Sequence, residues 1–72
     1  MDYLKWSQEY YEEAQKILRN IERLRDKLRS STVYEKRSTE DKITKLRLIY
    51  YECIHTANYL QQKAKQEVSN AA

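Results

Sequence analysis

Glycine and proline are absent from this sequence. With no residue lacking a Cβ, phosphate-cradling loops and dinucleotide-binding turns are excluded. The easiest tight β-hairpin turns need the same freedom, so an all-β fold is not expected. Cysteine is reduced to Cys53, which has no partner for an internal disulfide, and nothing points to an oxidising compartment. Long apolar runs are missing too. The longest, Leu48-Ile49-Tyr50-Tyr51, is far short of a membrane span. The start Met1-Asp2-Tyr3 lacks the basic and then apolar opening of a secretion signal, so a soluble, cytoplasmic protein without membrane contact is expected. Charge of one sign is in short supply: the net charge is +3, below the density of a dedicated nucleic-acid binder.

What is present is helical. The 72 residues allow one domain, 35% of them are charged, and seven Tyr and one Trp recur at helical spacing rather than as in a disordered chain. Ordering costs about 1.5 kcal/mol per residue, which leaves a lone chain of this size near zero stability. A partner is therefore expected, most simply a second copy.

Residues 3–29 read as one amphipathic helix. Tyr3, Tyr10, Ala14, Ile17, Ile21, Leu24 and Leu28 follow steps of three and four, with Ser7 in the one polar slot. Leu4, Trp6, Tyr11 and Leu18 flank that seam. Glu12 and Lys16 are placed to pair at i,i+4. Residues 30–38 break the period and are expected to form the turn. Thr32 with Glu35 and Ser38 with Asp41 are competing helix starts. The second is favoured because the apolar period restarts only at Ile43. The second helix is then expected over 39–67, with Ile43, Leu46, Tyr50, Cys53, Ala57, Leu60 and Ala64 on its seam, Ile49 and Ile54 flanking them, and a frayed tail at 68–72; an extra helical turn from Val33 is the alternative.

These elements define an all-α fold, a two-helix antiparallel hairpin of coiled-coil type, expected to dimerise into a four-helix bundle. Pairing seam positions whose numbers add to 67 sets Ile21 against Leu46, Ala14 against Cys53 and Ser7 against Leu60. A register one heptad away, adding to 74, sets Ser7 against Glu67.

The second helix carries a further stripe, Leu48, Tyr51, His55 and Tyr59, roughly opposite its seam. Two helices give that stripe no internal partner. It is the expected interface for self-association or another protein, with Trp6 and Tyr11 at the open end. The blander alternative is that Tyr and His simply tolerate exposure. Residues 1–15 carry one basic and four acidic groups, whereas 16–50 carry eleven basic and five acidic ones. An antiparallel dimer would set those unlike ends together.

No catalytic constellation is apparent. Cys53 and His55 are two soft ligands where a structural zinc site takes four, and two residues apart on a helix they diverge. The same divergence removes a Cys-His nucleophile. No enzyme, metal or cofactor is expected. The rival reading is a small accessory protein binding nucleic acid through its basic turn end. Arg19, Arg23, Lys27, Lys36, Arg37, Lys42 and Lys45 would contact phosphates, with Tyr34 available for stacking. Interspersed Glu22, Asp26, Glu35, Glu40 and Asp41 fit a solvated, salt-laced face instead.

The stretch Tyr50-Tyr51-Glu52-Cys53-Ile54-His55-Thr56-Ala57-Asn58-Tyr59-Leu60, after Ile43-Thr44-Lys45-Leu46, resembles small uncharacterised helical-hairpin proteins of low-GC Gram-positive bacteria and their phages. Tyr11-x-x-Ala14-x-x-Ile17-x-x-x-Ile21 fits the same pattern, so most of the chain is covered. The resemblance implies an all-α hairpin of a kind carried on mobile elements. It transfers no activity and no site residue.

Overall fold

A computed structural model describes residues 2–71. Two helices make up the fold: α1, Tyr3–Leu28, and α2, Val33–Ala71. They lie antiparallel as a rod of 60 × 14 × 14 Å. Asp2 caps α1, its carboxylate accepting from the Lys5 N–H at 3.0 Å. That satisfies one of the donors a helix start leaves unpaired.

The chain reverses without glycine and, among the described residues, without a positive φ. Helix α1 ends by tightening into i→i+3 bonds, with the N–H groups of Arg29 and Ser30 donating to the carbonyls of Asp26 and Lys27 at 3.3 Å each. The hydroxyls of Ser30 and Ser31 also donate to the Lys27 carbonyl. Serine side chains thus add to the backbone N–H bond at the Lys27 carbonyl, at a helix end that a left-handed glycine usually serves through the backbone alone.

Helix α2 starts at Val33, not at 39. Thr32 and Glu35 form a reciprocal capping box: the Glu35 N–H donates to the Thr32 hydroxyl and the Thr32 N–H to the Glu35 carboxylate, at 3.3 Å each. Such a box needs only its own residues, not an apolar period behind it. The stretch from Val33 to Ser38 is accordingly helical yet exposed. Ser38 and Asp41, the start favoured by the sequence pattern, lie inside α2. The helix also runs past the expected end at 67, to Ala71. Position 72 of the expected tail lies outside the described residues.

The core is one side chain thick. Helix α1 buries Ser7, Ala14 and Ile21, a strict seven-residue repeat, against Ile43, Ala57, Leu60 and Ala64 of α2. Ala14 and Ala57 are fully buried, and such small side chains let the backbones approach closely. Across the seam the Ser7 hydroxyl donates to the Ala57 carbonyl at 2.8 Å. This contact excludes the register adding to 74. In that register Ser7 would stand level with Glu67, about 15 Å further along α2 at about 1.5 Å per residue. It agrees with the register adding to 67 to within one turn.

Measured from that bond, α2 continues about 15 Å beyond the start of α1. Val68 follows Ala57, Leu60 and Ala64 on the seam-facing line of α2, yet it is exposed because α1 does not reach it. The only ion pair among the described residues joins Lys16 to Glu13 at 3.3 Å, not to Glu12 as expected. Both partners are exposed, so it contributes little.

Candidate interaction surfaces

Helix α2 holds the expected stripe on its outer face. Leu48, Tyr51 and Tyr59 are 61%, 56% and 57% exposed, and His55 is exposed between them. Their rings are not free of contacts. Tyr51 stands edge-on to Tyr50 at 5.7 Å between centroids, and the Lys63 ammonium lies 5.6 Å from the Tyr59 centroid. The stripe is thus a short apolar patch partly covered from its own helix.

Trp6 and Tyr11 do not join it, nor each other. Five residues apart, they diverge by about 140° at about 100° per residue. Tyr11 is half-buried, and its hydroxyl donates to the Asn58 side chain across the seam, with Gln61 at 3.4 Å. It therefore serves the hairpin itself. Trp6 lies on the opposite edge, 6.5 Å from the Tyr10 ring, and borders an open hollow lined by Glu9, Glu12 and Glu13.

The Tyr11–Asn58 bond fixes which edges of the two helices meet. On the other edge, helical geometry aligns Trp6, Tyr10, Ile17 and Leu24 of α1 beside Ile49 of α2. Trp6 and Ile49 are 41% and 45% exposed, and the other three are half-buried. The sequence pattern does not single out this flank. It assigns these residues to the seam or its margins. Both edges are mixed: the Trp6 edge also carries Glu13, Asn20, Lys42 and Thr56, and the Tyr11 edge carries Gln8, Gln15, Glu22 and Arg47 beside Leu4, Leu18 and Ile54.

The seven basic residues of the nucleic-acid reading are all exposed, but they do not converge. Arg19 and Arg23 lie on the outer face of α1 and Arg37 on the outer face of α2, while Lys36 and the Lys42/Lys45 pair occupy opposite edges of α2. Lys27 continues the line of Arg19 and Arg23 on α1, toward its Trp6 side. Tyr34 is almost fully exposed on the first turn of α2, over a hollow shared with Arg37 and Asp41. No group of three or more metal-binding side chains occurs among the described residues. Cys53 is half-buried and His55 exposed, on different faces. Among the described residues, no helix is long and apolar enough to cross a membrane.

No protein-family model, curated protein or solved structure matches this chain.

Proposed function

We propose that this chain is a non-enzymatic helical interaction module that acts as a homo-oligomer, a dimer of hairpins forming a four-helix bundle. One observation carries the reading: the hairpin's own seam covers few of its large apolar side chains. Ile21, Ile43 and Leu60 are the only large ones among the buried hydrophobic residues described, while Trp6, Leu48, Ile49, Tyr51 and Tyr59 remain substantially exposed. A rod 14 Å across has no interior beyond that seam. Small single-layer cores are marginal, and association is the usual way to extend them. The chemistry of the surface fits contact rather than catalysis, because the hollows are shallow and their polar groups do not converge on a point.

Light scattering with and without duplex and single-stranded nucleic acid tests the proposal. The expected result is a dimer mass that nucleic acid leaves unchanged. A monomer that forms a salt-sensitive complex with nucleic acid would overturn it in favour of the basic turn end.

A further inference from the structure

We infer that a second copy of this chain seats antiparallel on the flank formed by Trp6, Tyr10, Ile17, Leu24 and Ile49, around a twofold axis at Ile17 and Ile49. The inference rests on the homo-oligomer reading and names the face and sense of the contact.

Three features point to the same axis. First, the flank is apolar at its centre. Ile17 and Ile49 stand at one level of the rod, since the Ser7–Ala57 and Tyr11–Asn58 bonds bracket that alignment. Second, apolar side chains face one another on both sides of that level. In an antiparallel packing with α1 over its copy, Ile17 meets Ile17, Ile49 meets Ile49 and Tyr10 meets Leu24. Third, the charges bordering the flank complement one another. Glu9 falls opposite Lys27 of the other copy on α1, and Lys45 falls opposite Glu52 on α2, the midpoint of each pair lying within about one helical turn of the same axis. Opposite charges facing across a rim steer association and fix register.

The sense follows from the ends of the rod. A parallel dimer would set two strongly basic turn halves side by side, whereas the antiparallel one sets each beside the acidic start of α1. The outer stripe of α2 lacks this pattern. Its helix is nearly balanced in charge on both sides of the stripe, and its rings already lean on Tyr50 and Lys63. In the bundle that stripe faces outward.

Single cysteines placed in a Cys53→Ala background test this, with light scattering of the background protein as the first reading. A monomeric background protein would sink the homo-oligomer reading itself. Given a dimer, Ile17→Cys is expected to oxidise rapidly to a covalent dimer, and His55→Cys is not. Rapid crosslinking at 55 and none at 17 would move the interface to the outer stripe and overturn the inference, with self-association intact. Crosslinking of Ile17→Cys only to Ile49→Cys in a mixture would show a parallel dimer and overturn it equally. Independently, Glu9→Lys is expected to weaken the dimer about tenfold at low salt, and adding Lys27→Glu to restore it. Both residues are exposed, so helicity is unchanged; a Glu9→Lys effect that Lys27→Glu does not rescue would refute the pairing.

Discussion

Replacing Ser7 by leucine separates the structure from the simple seam pattern. On the pattern alone the substitution is an improvement, because it fills the one polar slot in a row of apolar residues. The structure says the opposite. Ser7 is buried against Ala57, itself fully buried, and its hydroxyl donates to the Ala57 carbonyl at 2.8 Å. Losing that bond costs about 1 kcal/mol. The carbonyl keeps its α2 ladder partner, so no orphan acceptor is added to the loss. Forcing a larger side chain between two close backbones costs a further 1–3 kcal/mol, roughly. The total, about 2–4 kcal/mol, is comparable to the stability a core of this size supplies. At roughly 4–8 °C per kcal/mol for a domain of this length, the thermal midpoint should fall by about 10 °C or more. Circular dichroism at 222 nm, with urea and thermal melts at matched concentrations, reads the effect. A Ser7→Leu protein as stable as the parent, or more so, would refute the close approach at Ser7 and the register with it.

Three further outcomes follow from the same geometry. Thr32→Ala should cost about 1 kcal/mol and speed amide exchange at 35 to 38, because the capping box is broken; exchange unchanged there would place the true start of α2 later. Ile21→Ala removes a large buried side chain from the seam and should cost about 2–5 kcal/mol in urea denaturation, so a loss under about 1 kcal/mol would mean the seam is not closed at that level. Tyr11→Phe loses exposed hydrogen bonds only, and should shift stability by about 0.5 kcal/mol or less in the same urea titration; a loss of several times that would make the Asn58 contact part of the core.

The hairpin was legible in the sequence because its seam is a clean three-four repeat. The positions 7, 14 and 21 that α1 buries are the heptad it announces. The start of α2 is legible too, because Thr32 and Glu35 carry the signature of a capping box. The apolar period, which restarts only at Ile43, points instead to a boundary at 39. A cap acts on backbone N–H groups and is indifferent to what the next turn buries. Ser7 occupies the one polar slot of the seam and is buried there with its hydroxyl on the Ala57 carbonyl, a backbone contact that spacing alone does not show. Trp6 and Tyr11 both flank the seam at the open end, but at about 100° per residue they fall on opposite flanks. The flank of Trp6, Ile17 and Ile49 escaped notice for a different reason. Which margins of two helices lie side by side follows from their antiparallel packing, with Tyr11 and Asn58 meeting on one side, and the pattern of a single helix does not show it.

The central claim is that a second copy completes a core the hairpin leaves open. Its most direct test is the unfolding midpoint of the wild-type chain measured over a wide range of protein concentration. A midpoint that climbs steadily with concentration, with a low-temperature mass near twice 8.8 kDa, is the expected result. A midpoint independent of concentration, at a mass of 8.8 kDa and full helicity, would contradict it.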